Sequence, residues 1–200
     1  MMKLRYSATS PFVRKVVVTA METGQDSEIQ RIPTVATDPA SGIAADNPLN
    51  KVPALILEDG TVLFDSAVIC EYLDQRKNGG LFPAAGPARW TALTRQALAD
   101  GIMDAALLRR YEVMRPEHLR SAEWDARQKL KMEQGLDALE RAAAGFGAAF
   151  DIGTITVAAL LDYLDFRFAA EAWRDKRPGL AQWHKAFSAR PSLQATLPKD

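Results

Sequence analysis

Ser7-Ala8-Thr9-Ser10-Pro11-Phe12-Val13-Arg14-Lys15 is the stretch from which the fold of this chain can be read. Ahead of it, Lys3-Leu4-Arg5-Tyr6 alternates polar and apolar residues as a half-buried strand does. Behind it, Phe12 to Thr23 reads as a helix, with Gly24 as its C′ residue. The stretch is therefore a strand-to-helix turn. Ser10 takes the N-cap, and Pro11 the first helical position, where a missing N–H costs nothing. A helix start carries about +0.5 of an elementary charge and unpaired N–H groups, which favour an anion, a thiolate included. The Ser10 hydroxyl has one donor and two acceptor sites, so it can accept from a helix N–H and still donate outward. On this stretch alone, plain helix capping accounts for Ser10 better than a binding role does.

The pattern continues outward in the same mixed style. Glu28 to Val35 reads as a second strand, and Asp38 to Asn47 as a loop with room for a short helix. Val52 to Leu57 is an apolar strand, Asp59-Gly60 a hairpin turn, and Thr61 to Phe64 the returning strand. Asp65-Ser66 opens a helix through Arg76, with Ser66 as N-cap, and Asn78-Gly79-Gly80 ends it. The order predicts a small mixed sheet with helices on its faces. Residues 79–87 hold three glycines and two prolines and read as a linker, with Leu81 and Phe82 docking it to a surface. From Ala88 onward every long segment is helical. Ala88 to about Met114 comes first, then Ser121 to about Ala144, then Thr154 to Trp173, apolar nearly all round and so the centre of a bundle. Pro178 to Ala189 and a last turn after Pro191 close it. The expected domains are residues 1–78, α/β, and 88–200, all-α.

Composition narrows the function. Lys plus Arg and Asp plus Glu are both 25, so the net charge is zero, which disfavours broad nucleic-acid binding. Cys70 is the only cysteine; no internal disulfide can form, and a reducing cytoplasmic setting is the simplest expectation. The N-terminus lacks the apolar core of a signal peptide, and the apolar run Ile152 to Ala170 carries Asp162, Asp165 and Arg167, so no membrane association is expected.

Three motifs now stand in order: Ser7-x-x-Ser10-Pro11-Phe12, Asn47-Pro48-Leu49-Asn50-Lys51-Val52-Pro53-Ala54-Leu55, and Phe64-Asp65-Ser66-Ala67-Val68-Ile69-x-Glu71-Tyr72-Leu73. With the terminal run Arg177-Pro178-Gly179-Leu180-x-x-Trp183-x-x-x-Phe187-x-x-Arg190-Pro191, the whole chain resembles a cytosolic glutathione transferase. The resemblance implies a thioredoxin-like N-terminal domain, an all-helical C-terminal bundle, usually a homodimer, and glutathione as co-substrate. No metal motif is present.

The resemblance also implies roles. Val52, before a cis Pro53, would pair its backbone with the cysteinyl segment of glutathione, a strand addition; cis bonds are nearly confined to proline. Ser66 would receive the γ-glutamyl carboxylate, Asp65 would place its amine, and Lys51 would approach the glycyl carboxylate, unless it is simply a solvated surface charge. Ser10 becomes the catalytic position through a hydrogen bond to the sulfur, with Thr9 as a competing donor and Phe12 beside the site. Asp100 or Asp104 would reach the amine of the ligand in the neighbouring subunit. Phe12, Ala105, Leu108, Arg109 and Glu112 are possible walls of a pocket for a small electrophile. The turn lacks a Cys-x-x-Cys, which excludes dithiol chemistry there. Cys70 reads as core packing, and His118 and His184 as isolated from each other and from carboxylates. In similar proteins the helix start at Thr154 carries an acid three positions on; here Val157 stands there, which weakens that cap. Two readings remain: an enzyme that ionises the glutathione thiol for conjugation, isomerisation or reductive removal of a leaving group, and a non-catalytic module that works through protein contacts.

Overall fold

A computed structural model of the chain describes residues 1–199. It divides into two units, Met1–Arg89 together with the segment from Pro191 on, and Trp90–Arg190. The first holds β1 (Met2–Tyr6), α1 (Pro11–Glu22), β2 (Ile29–Pro33), α2 (Ile43–Asp46), β3 (Ala54–Ile56), β4 (Val62–Leu63) and α3 (Ser66–Lys77), in the alternation expected. The sheet order is β2-β1-β3-β4. β1 and β2 are parallel, a pairing that requires a crossover, and α1 supplies it. β3 is antiparallel to both β1 and β4. Val13, Val16 and Val17 of α1, Ile69 and Leu73 of α3, and Leu4 and Leu55 of the sheet are buried together as the core.

Register positions the site. Arg5 lies opposite Ala54, and Leu55 opposite Leu63. Because β3 runs against both neighbours, three segments emerge at one end of the sheet. They are the exit of β1 into Ser7–Ser10, the entry to β3 through Val52-Pro53, and the exit of β4 into Phe64–Ser66.

The N-cap of α3 is Asp65, one residue before the expected Ser66. Its carboxylate accepts from the Ala67 N–H at 3.0 Å, and Ser66 becomes the first helical residue and is buried. Both residue types cap well, so the side chains alone did not decide between them. Asp74, on the last turn of α3, accepts the N–H groups of Leu81 (2.8 Å) and Phe82 (3.0 Å), which docks the connecting segment as expected. Gly79 is required there, since a Cβ would stand 2.6 Å from both Asp74 Oδ1 and Thr23 Cγ2.

The end of the chain departs from the expected 88–200 boundary. α8 (Pro191–Ala195) and residues 196–199 belong to the first unit. The buried Arg14 on α1 donates to Thr196 Oγ1 (3.2 Å) and to the Leu193 carbonyl (3.1 Å), and Ser192 donates to Glu22. A turn after a proline carries no sequence sign of which unit it will pack on.

The second unit is built from α5 (Ala122–Ala143), α6 (Ile152–Phe168), α7 (Pro178–Phe187) and all but the first residues of α4 (Gly86–Met114). α6 is buried from Ile152 through Leu164, as its composition predicts. It starts two residues before the expected Thr154, and its cap is Asp151. Asp151 Oδ1 accepts from the Thr154 N–H, and Thr154 Oγ1 accepts from the Asp151 N–H, both at 2.9 Å. The acid sits at the cap and the hydroxyl at N3, a reversed capping box, so Val157 is not involved. α6 also stops at Phe168 rather than Trp173, giving way to 3₁₀ turns at Ala169–Glu171 and Trp173–Lys176 with Ala172 at φ 44°. Among the described residues, no helix is long and apolar enough to cross a membrane.

Candidate functional site

The turn after β1 is built as its sequence dictates. Ser10 is extended (φ −85°, ψ 121°), its hydroxyl oxygen accepts the Val13 N–H at 3.3 Å, and Pro11 opens the helix. The Ser10 N–H donates to the Ser7 carbonyl at 3.2 Å, which closes the turn. Among the described residues, the one hydrogen bond of the Ser10 hydroxyl is thus an accepted one, and its own proton stays available for an acceptor outside. Thr9 differs: its Oγ1 stands 3.3 Å from Ser7 Oγ, so one of these two hydroxyls donates to the other. Phe12 is half-buried, with the buried Lys15 ammonium 5.8 Å from its ring centre.

The second segment is held by a residue to which the sequence reading gave no role. The buried Asn47 donates through Nδ2 to the Lys51 carbonyl (2.8 Å) and accepts the Leu49 N–H through Oδ1 (3.0 Å). Its backbone carbonyl takes the Asn50 N–H (2.8 Å), with Asn50 at φ 57°. This is an Asx-type turn, and the Asn-Pro pair was the available signal. It delivers Val52 to the cis Val52–Pro53 bond; Phe64–Asp65 is also cis. Among the described residues, the Val52 backbone makes no hydrogen bond. The Lys51 side chain is exposed.

The third segment is the start of α3, where exposed Asp65 caps and buried Ser66 follows. The sheet therefore brings Thr9, Ser10, Phe12, Val52, Pro53, Asp65 and Ser66 to one end, with Lys51 adjoining. A helix start with a hydroxyl, an unpaired strand-like backbone and a second helix start suit a ligand that is part peptide and part anion. Asp100, half-buried, and Asp104, exposed, belong to α4 in the second unit.

Two of the expected pocket walls have other employment. Arg109 donates to both oxygens of Glu171 (3.1 and 2.7 Å) and of Asp125 (3.0 and 3.3 Å), all within the second unit. Burial pushes the Arg109 guanidinium down, and the two carboxylates more than restore it, so it is firmly charged. Burial likewise raises the Glu171 carboxyl, but Arg109 and then Lys129 hold it below the usual range. Glu112 is held low by the Ser121 N–H and by Arg115.

His184 is buried, and it is not isolated from carboxylates. Its Nε2 lies 3.0 Å from Asp162 Oδ1, and its Nδ1 3.2 Å from Arg174 Nη2. A guanidinium only donates, so Nδ1 must be the acceptor. The partners lie 22 and 10 residues away in sequence, on other elements, which hid them from a local reading. Asp162, Asp165 and His184 bring ligand atoms within 4.8 Å of one another. Arg174 binds the Asp165 carboxylate and already supplies the positive charge there. His118 is exposed in a 3₁₀ turn, and Cys70 is fully buried on α3.

The family model for the glutathione S-transferase N-terminal domain matches residues 9–76, and that for the C-terminal domain matches residues 105–186. The GST-like protein YibF of Escherichia coli (strain K12) is 36% identical over 98% of each chain. A glutathione transferase family member from Pseudomonas fluorescens Pf-5, crystallised with bound glutathione, is 43% identical over the full length of both chains, with a TM-score of 0.93. A second structure of a family member from that organism holds S-(propanoic acid)-glutathione, again at 43% identity over the full length of both chains, with a TM-score of 0.91. With both domains matched in chain order and full-length relatives of this similarity, the chain belongs to the glutathione S-transferase family.

Proposed function

We propose that the protein binds glutathione at this end of the sheet, ionises its thiol, and transfers the sulfur to a small electrophile. The observation that carries the reading is the convergence of Ser10, Val52 and Asp65–Ser66 through strand register. Val52 pairs with the cysteinyl backbone. Ser66 receives the γ-glutamyl carboxylate, with Asp65 at its amine, and Lys51 meets the glycyl carboxylate. The sulfur then lies at the start of α1, where the helix field and the Ser10 hydroxyl both favour the thiolate. The Pseudomonas relative with glutathione bound supports the ligand, and the S-(propanoic acid)-glutathione structure, a thioether of the same tripeptide, supports attack by the sulfur on carbon. The protein works in the reducing cytoplasm as a homodimer, with Asp100 or Asp104 reaching the ligand of the other subunit.

The test is retention on immobilised glutathione together with turnover of a generic aryl halide. Retention with turnover is the expected result. Retention alone leaves a glutathione-binding protein without transferase activity. Neither would put a partner-binding module in place of the enzyme.

A further inference from the structure

A cavity lies beside the turn, within the first unit. Tyr6 and Ser7 line it from the end of β1, Arg31 from β2, Arg14 from α1, and Thr196 and Lys199 from the end of the chain. Its volume is about 40 Å³, whereas one water needs about 10–15 Å³ on the same measure. It therefore has room for more than one water. Three cationic side chains line it, and among the described residues no carboxylate does.

Two of the cations are held in place. Arg14 is 4% exposed, with its guanidinium tied to Thr196 and Leu193. Arg31 donates to Asp26 at 2.5 Å and stands 5.5 Å above the Tyr6 ring. Fixed guanidinium groups with hydroxyls beside them recognise a carboxylate.

Topology says which carboxylate. The sheet order is β2-β1-β3-β4. Val52 and Asp65 approach from the β3–β4 flank of β1, and the cavity lies on the β2 flank. The turn that carries Ser10 is shared, since Ser7 lines the cavity and its carbonyl holds the Ser10 N–H. With glutathione placed as proposed, along Val52 and Asp65, a molecule reaching the sulfur from this flank is the second substrate.

We propose that this cavity binds the carboxylate of the electrophilic co-substrate, so that the substrates are carboxylate-bearing electrophiles. The proposal rests on the transferase reading for its substrate, but the site itself can be measured apart from turnover. With an aryl chloride, the sulfur–carbon bond forms at the ring carbon that bears chlorine. The carbon–chlorine bond breaks, chloride leaves with its electron pair, and nothing is oxidised or reduced.

The experiment compares 4-chloro-3-nitrobenzoate with its uncharged amide, 4-chloro-3-nitrobenzamide. With each rate divided by that of the uncatalysed reaction with glutathione, which corrects for the weaker electron withdrawal of the carboxylate, the benzoate should have the higher kcat/KM by about tenfold, the scale of one charged hydrogen bond. The double variant Arg31→Gln, Lys199→Gln should bring that ratio towards one; both side chains are exposed, which spares the fold. A parallel arm measures calorimetric binding of unreactive 3-nitrobenzoate and 3-nitrobenzamide, with and without S-methylglutathione. Preference for the benzoate, erased in the variant, supports the site even if neither chloride turns over, an outcome that would sink the transferase reading alone. Turnover of both chlorides with no preference, in rate or binding, overturns the site and leaves the transferase reading standing. Displacement of nitrobenzoate by S-methylglutathione assigns the cavity to a carboxylate of glutathione and also overturns the proposal.

Discussion

Ser10 caps α1 through one long accepted hydrogen bond, and that small structural duty makes its proposed chemical role separable. A free cysteine thiol, with a pKa of about 8.5, is only about 3% thiolate at pH 7. Lowering it by about two units makes roughly three quarters thiolate, for about 2.7 kcal/mol of differential interaction. Ser10→Ala removes the hydroxyl and leaves the helix field. It should raise the pKa of the bound thiol and cut turnover by about ten- to a hundredfold. Glutathione affinity should change little, and about 1 kcal/mol of stability should be lost with the cap. Thiolate absorbance of the binary complex against pH decides; coincident titrations would leave Ser10 a cap and move the test to Thr9. Asp65 allows a sharper separation, because it caps α3 with the carboxylate proposed to hold the γ-glutamyl amine. Asn caps as well as Asp. Asp65→Asn should therefore keep the melting temperature and weaken glutathione binding, whereas Asp65→Ala should lose both, with a fall of about 2–4 °C. Equal affinity in wild type and Asp65→Asn would reduce Asp65 to a cap.

At the scale of elements, much was legible where local chemistry decides. Pro11 after Ser10, and Asp59-Gly60 between apolar runs, each admit few backbone solutions, and the turn and hairpin form where those residues predict. The start of α6 was less legible because Asp151 and Thr154 are both good caps, and their reciprocal bond, not either residue alone, fixes the boundary. Asn47 was missed for a related reason: its importance is in three bonds to its own loop, which appear only when the loop is folded. The buried centre of α6 has a consequence for alkaline stability. Tyr163 is 2% exposed, and burial pushes its hydroxyl from an ordinary value of 10.0 up to about 12. Below pH 10 the group is neutral in both states. As pH rises from 10 towards 12, the unfolded chain ionises first while the folded one keeps its proton, so stability falls through that window. A two-unit shift makes the loss about 2–3 kcal/mol at most. Tyr163→Phe has no proton to lose. Urea unfolding at pH 8 and 11 should therefore show a smaller alkaline loss for the variant than for wild type, and parallel losses would refute the assignment.

For the whole molecule, what the sequence could not carry was pairing between distant residues. Arg109 with Asp125 and Glu171, or Arg14 with the end of the chain, joins positions that no local pattern links. Assembly is the same problem extended to a second copy, and α4 offers an observation that bears on it. Trp90, Leu108 and Tyr111 are 65%, 41% and 52% exposed. They recur at about five and about six turns from Trp90 and so share one face of the helix. Asp104 lies about four turns from Trp90 on that face, with Asp100 one turn before it. An exposed apolar face with Asp104 on it and the half-buried Asp100 one turn away is what the proposed homodimer requires, the apolar residues packing on the other subunit and Asp100 reaching its ligand. The dimer should sediment as such at micromolar concentration. Trp90→Glu places an acid in the second turn of α4, where the helix field tolerates it, and should yield a folded monomer. Asp100→Ala should raise the glutathione dissociation constant by about tenfold or more, the scale of one charged hydrogen bond. Trp90→Glu should do the same without touching Asp100, because the subunit that Asp100 serves has gone. The two changes together should then cost no more than either alone, since they remove one interaction. Additive losses would mean that Asp100 acts within its own chain, and a wild-type monomer with full glutathione affinity would refute the dimer.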